Sequence, residues 1–368
     1  MDRPRGQDLP ADLSGLPAIE ELSPLMRFRK GTVLGNMLSA AHRMRRVPAG
    51  AIAAARAAKA DPPRPRPSGE QRREYRAVYV IPAGPREWGP LSDTIESVLA
   101  YEGEDAKVVV LDDASSDCRP AVVQARFPEV DVFSRRIPSG GPPRNLPSLM
   151  AGFRHALENY SFEVLIKIDT DALVTGSSPS AAAAEYFRRR PEVGVAGTYL
   201  QRTDGIAEDY EWDLWVLRHT ERWSPSARAM MRRARAGGYQ GSKVHGGVYA
   251  VSRPALEAIA ASGDIGWRGP WWTPLGEDFW FSILALANGF QLGSLGGPGE
   301  AFAVASKYTP IAKEKVLAEG KVAIHSVRRG VDGEDEAEMR AFFRGERGRS
   351  HAGSAPAAET DSSRPPGR

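Results

Sequence analysis

Residues 164–174 read VLIKIDTDALV. The run from Glu163 to Ile168 is short, apolar apart from Glu163 and Lys167, and stops at Asp169-Thr170-Asp171. A run of this length and composition predicts a strand covered on both faces. Working outward, Ala77–Ile81 (AVYVI, closed by Pro82), Lys107–Leu111 (KVVVL) and Val130–Phe133 are further short apolar runs. Between them lie helical patterns. Pro90–Tyr101 carries Leu91, Ile95, Val98 and Leu99 at helical spacing, Pro120–Phe127 is a short helix, and Leu146–Asn159 places Leu146, Leu149, Met150, Phe153 and Leu157 on one face. Strands alternating with helices predict an α/β fold with a mainly parallel sheet flanked by helices and right-handed crossovers. In such sheets ligands bind beyond the carboxyl ends of the strands.

Two of those ends are acidic. Leu111 runs into Asp112 and Asp113, and Ile168 into Asp169 and Asp171. Carboxylates there can accept hydrogen bonds from a base or a ribose, and a closely spaced pair can hold a hard divalent cation together with phosphate oxygens. Either acidic stretch alone is equally well read as helix capping or turn formation. Two of them on alternate buried strands favour a ligand site.

Five stretches, in order, are similar to the GT-A glycosyltransferases, family 2 in particular: VYVIPAGPREWGPLSDTIESVLAY, VVVLDDASSD, VLIKIDTDALV, HGGVYAVSRPALEAI and GEDFWFSILALANGF. The resemblance covers roughly Val78 to Arg329. The resemblance implies a GT-A α/β fold and a metal-dependent hexosyltransferase-like enzyme. Such an enzyme moves a sugar from a nucleotide-diphosphate sugar to an acceptor hydroxyl, with inversion. It further implies that Pro82 and Ala83 contact the nucleotide, and that Asp112 or its neighbour Asp113 binds the base. Asp169 and Asp171 form a DxD motif for ribose and for Mn²⁺ or Mg²⁺, and Gly246 and Gly247 line the donor sugar. Asp278 is the implied base with Glu277 orienting the site, His325 a metal or diphosphate ligand, and Arg328 a diphosphate contact. His245 is a weaker candidate for metal or substrate. The sequence departs from the family after the first strand (Ala83-Gly84-Pro85) and at Asp113-Ala114-Ser115. It also lacks the QxxRW motif of the polymerising members.

Several of these residues also have plain structural readings. Gly246-Gly247 suits a tight bend, Asp278 a helix N-terminus, and His325 a packed core histidine. Four of the chain's eight tryptophans fall within residues 267–280. Trp271 and Trp272 there suit either a core or a loop whose flat faces stack on an acceptor sugar. Two alternative functions remain: a nucleotidyltransferase on a related fold, or a non-catalytic nucleotide-sugar-binding protein.

Charge and composition bound the rest. The 368 residues carry 49 Lys+Arg against 46 Asp+Glu, a net +3, which gives no reason to expect a nucleic-acid partner. Cys118 is the single cysteine, which removes disulfide frameworks and suits a reducing cytoplasm. Residues 1–60 form a basic arm, partly helical, with eight basic and no acidic residues between Pro24 and Lys59. It suits either docking on the protein's own core or peripheral contact with an anionic inner membrane face. Residues 61–74 read as a Pro-rich linker. Residues 75–175 read as the nucleotide-sugar half, 176–344 as the acceptor half, and 345–368 as a disordered tail.

Overall fold

The computed structural model describes residues 73–84, 88–113, 119–135, 145–267, 269, 273 and 275–353. The arm, nearly all of the linker, Trp271, Trp272 and the tail beyond Gly353 lie outside the described residues.

The alternation read from the sequence is present. β1 (Glu74–Ala83), α1 (Trp88–Glu102), β2 (Ala106–Asp112), α2 (Arg119–Arg126), β3 (Asp131–Ser134), α3 (Leu146–Asn159) and β4 (Ser161–Ile168) follow in order. The second half adds β5 (Ala172–Val174), α4 (Pro179–Arg189), β6 (Val193–Tyr199), α5 (Glu211–Trp223), α6 (Pro225–Ala236), β7 (Val244–Ser252), α7 (Arg253–Ala261) and α8 (Glu277–Ala287). Then come β8 (Gln291–Ser294), β9 (Phe302–Val304), α9 (Lys313–Ala318), β10 (Ala323–His325) and α10 (Glu336–Gly353).

A seven-stranded sheet has the order β3-β2-β1-β4-β7-β6-β8. All its pairings are parallel except those of β7, which runs antiparallel to both β4 and β6. Side chains alternate between two cores. Val78, Val80, Val109, Leu111 and Leu165 face α3 and α8 on one side, while Tyr79, Ile81, Val108, Val110 and Ile166 face α1 on the other. Apolar cover on both faces is why these strands read as continuous apolar runs.

A three-stranded sheet, β5-β10-β9, sits beside the large one. Its pairing sets His325 opposite Ala172, one residue after the DTD turn. The reversed strand β7 matters equally. Ile168 pairs with Val248, and the Asp169 N–H donates to the Gly247 carbonyl at 3.0 Å. The His245-Gly246-Gly247 stretch thereby arrives at the same edge as the ends of β1, β2 and β4.

The last helix departs from the composition-based boundary at Arg344 by running on to Gly353. Two of its arginines are seated rather than solvated. Arg340 and Arg347 bond the Asp93 carboxylate of α1 at 3.0 and 2.8 Å, and all three side chains are at most 8% exposed. Arg340 also donates to the Thr170 carbonyl at 2.7 Å, within the DTD turn. Asp93→Ala leaves two buried guanidinium groups short of a counter-charge and is expected to cost about 3–5 kcal/mol. Urea unfolding followed by circular dichroism measures it, and a loss under about 1 kcal/mol would show that α10 is not anchored there.

Candidate active site

Most of the implied residues converge on one cavity of about 450 Å³. Pro82 and Ala83 reach it from the end of β1, Asp113 from just beyond β2, and Asp169 and Asp171 from the turn after β4. Gly246 and Gly247 arrive on β7, Glu277 and Asp278 on the first turn of α8, His325 on β10, and Arg328 just after it. Asp112 is the exception. It is the last residue of β2, only 3% exposed, and does not line the cavity. Alternation along a strand turns adjacent side chains to opposite faces, so of the two acids Asp113 is the one on the cavity wall. Ser148 donates to its Oδ1 at 2.7 Å, and the buried Arg135 lies 3.4 Å from the same oxygen. Trp271 and Trp272 lie outside the described residues.

Asp169, Asp171 and His325 present one ligand atom each within 4.8 Å of one another. The His325 Nδ1–H donates to the Ala305 carbonyl at 2.7 Å, since a carbonyl can only accept. That leaves Nε2 facing Asp171 Oδ1 at 3.2 Å and Asp169 Oδ2 at 4.0 Å. A carbonyl that fixes the far nitrogen is the usual support of a ligating imidazole. Asp171 is held further by Ser326 Oγ at 2.8 Å and Arg328 Nε at 2.9 Å. Burial alone would raise its carboxyl, but the His325 hydrogen bond and charge, Arg328 and Ser326 outweigh it and hold Asp171 well below the usual carboxylate range. For Asp169, burial raises the carboxyl above that range, Lys167 and His325 oppose the rise, and Glu277 and Asp171 add to it. Two carboxylates and an imidazole suit a divalent cation such as Mn²⁺.

Gly247 is required by this arrangement. A Cβ there would stand 2.1 Å from His325 Nδ1, so the ring lies directly against the glycine backbone. Gly247→Ala is expected to displace the ring and cost about 1–3 kcal/mol. A thermal melt indistinguishable from wild type would contradict that packing.

Two lysines, Lys167 buried and Lys243 largely so, organise the carboxylates, and neither was singled out from the sequence. Lys167 bonds Asp169 Oδ1 at 2.7 Å and Glu277 Oε1 at 3.1 Å. Lys243 bonds Asp278 Oδ2 at 3.0 Å and Asp213 Oδ2 at 3.2 Å. Each ammonium is held charged well above its usual range: burial opposes this, and the paired carboxylates outweigh it. Burial likewise would raise Asp278, but Lys243, His245 and the Phe279 N–H bring it below its usual value. The His245 ring lies 6.1 Å from that of His325, and burial, reinforced by His325, pushes its pKa down to about 3. Its imidazole is therefore neutral at pH 7. Lys167 carried a signal, because a lysine inside a strand covered on both faces must be paired. Lys243 carried none.

Among the described residues no helix is long and apolar enough to cross a membrane. No family model matches the chain, and no curated protein matches it. Solved structures do. The mannosyltransferase PcManGT from Pyrobaculum calidifontis, in complex with GDP-Man and Mn²⁺, is 18% identical over 70% of this chain and 65% of its own, with a TM-score of 0.37. The chain therefore spans just under two thirds of that protein. Glucosyl-3-phosphoglycerate synthase from Mycobacterium tuberculosis, with Mn²⁺, UDP and glucosyl-3-phosphoglycerate, is 16% identical over 61% of this chain and 71% of its own, with a TM-score of 0.34. A glycosyltransferase involved in glycosylation of the major capsid of PBCV-1 is 12% identical over 73% of this chain and 98% of its own, with a TM-score of 0.38. The chain is similar to each of these at low identity, so the chemistry of its site stands on its own residues.

Proposed function

We propose that the chain is a metal-dependent GT-A glycosyltransferase of family 2 type, which moves a sugar from a nucleotide-diphosphate sugar to an acceptor hydroxyl with inversion. The observation that carries this reading is the shared cavity: a cation-suited cluster of Asp169, Asp171 and His325 on one wall and the ionised Asp278 on another. Asp113, oriented by Ser148, would accept from the base, with Pro82 and Ala83 packing beside it. Asp169, Asp171 and His325 would hold Mn²⁺ or Mg²⁺, whose bound charge neutralises the diphosphate leaving group. Arg328, 62% exposed at the cavity mouth, would meet phosphate oxygens.

Asp278 would take the acceptor proton. As the acceptor oxygen bonds to the anomeric carbon, the bond from that carbon to the diphosphate oxygen breaks. The acceptor's proton passes to the Asp278 carboxylate. Lys243 keeps that carboxylate ionised before attack, while Glu277 stays bound to Lys167 and shapes the wall. The acceptor and the donor sugar are chosen by loops around this core.

The direct test is a thermal-shift screen of UDP-, GDP- and TDP-sugars with Mn²⁺, followed by a transfer assay on any donor that stabilises the fold. Absence of stabilisation by all of them would count against the reading. A second expectation concerns pH. In wild type the acid limb of kcat/KM set by Asp278 falls below the usual carboxylate value of about 4. Removing the neighbouring cation favours the protonated carboxyl, so in Lys243→Met that limb moves to higher pH. A limb that stays put would mean that another group accepts the proton.

A further inference from the structure

Lys167 has no exposed side-chain surface, and every donor of its ammonium is used. One goes to the Gly246 carbonyl on β7, one to Glu277 Oε1 on α8, and one to Asp169 Oδ1 at the end of its own strand. The Tyr249 ring closes the remaining side, 5.6 Å away. The three acceptors belong to three of the segments that line the cavity: the DTD turn, the Gly-Gly bend and the first turn of α8. The two oxygens of Asp169 are thus divided. Lys167 takes Oδ1, and Oδ2 is left turned toward His325 Nε2.

We propose that Lys167 is a positioning residue for the metal centre. By holding Asp169 Oδ1 it fixes the carboxylate so that Oδ2 alone is presented to the cation, and by holding Glu277 and Gly246 it ties that geometry to the wall carrying Asp278. The inference rests on the metal-dependent reading above, and it adds a group that never touches the metal or substrate.

A bystander lysine and a positioning lysine predict opposite signs. Deleting a cation near a cation site strengthens metal binding by Coulomb's law. Deleting the group that orients a ligand weakens it, by about 10–100-fold for outer-shell partners of metal ligands. The test is direct Mn²⁺ binding to the full chain without donor, read by electron paramagnetic resonance of free Mn²⁺, for wild type and Lys167→Met. Weaker binding by about tenfold or more in the variant is the expected result. Unchanged or tighter binding overturns the inference and leaves the metal reading standing. Wild type that binds no Mn²⁺ overturns both.

If Lys167→Met does not fold, Glu277→Gln and Glu277→Leu decide the question by the same measurement. Glutamine keeps an oxygen for Lys167 but loses the charge, whereas leucine loses both. Positioning predicts Glu277→Gln within about threefold of wild type and Glu277→Leu weaker by about tenfold. Equal effects in the two variants overturn it.

Discussion

Asp278→Asn is expected to lower kcat by about 10²–10⁴-fold, the range for loss of a general base, while donor affinity stays within about threefold. The substitution is nearly isosteric. The Phe279 N–H that now donates to Asp278 Oδ1 at 2.8 Å keeps an oxygen to bond, and Lys243 keeps Asp213. Folding and the metal wall are therefore left in place, and only the capacity to accept a proton is lost. Calorimetric titration of the donor together with single-turnover transfer separates the two effects. A kcat within tenfold of wild type would remove Asp278 from the base role and revive the reading of a carboxylate that merely completes the start of α8. Donor binding with no transfer in either protein would instead favour a nucleotide-sugar-binding protein without catalysis.

Asp171→Asn is expected to abolish metal-dependent donor binding, weakening it by at least about 100-fold, the upper end seen for mere outer-shell partners. Asp171 is the most strongly committed carboxylate of the cluster. Its depressed pKa keeps it ionised throughout the neutral range, so its negative charge is available to a cation without first losing a proton. The amide retains the oxygen that accepts from Ser326 but halves the oxygen ligands and removes the charge. Donor titrations with Mn²⁺ and with chelator check it. Wild type should lose affinity on chelation, and the variant should bind equally weakly in both. A wild type indifferent to chelator would sink the metal assignment for this cavity.

Much of this architecture is legible in the amino-acid sequence. Most of the first seven elements were readable because β1, β2 and β4 are covered on both faces and the helices between them on one, so hydrophobic period and length separate them. The DTD and GED acids were legible because acids directly after a buried strand, or at the start of an apolar helix, have few other places to be. The choice between Asp112 and Asp113 was not legible. It depends on where β2 ends, and a shift of one residue turns the other acid to the cavity. The antiparallel course of β7 was equally hidden, because an apolar run looks the same read in either direction. The polar end of α10 concealed its docking, since arginine reads as solvated until Asp93 is placed beneath it.

The sequence by itself determined the α/β alternation and the types of residue gathered at the strand ends, for these follow from local periodicity and from the chemistry of each side chain. The tertiary structure alone decided which acids share a lysine. Asp169 meets Glu277 through Lys167, and Asp278 meets Asp213 through Lys243, across separations that no local pattern records. Those pairings set which carboxylates stay ionised and where their oxygens point, because a buried charge is governed by the few groups within about 4–6 Å of it rather than by its neighbours in the chain.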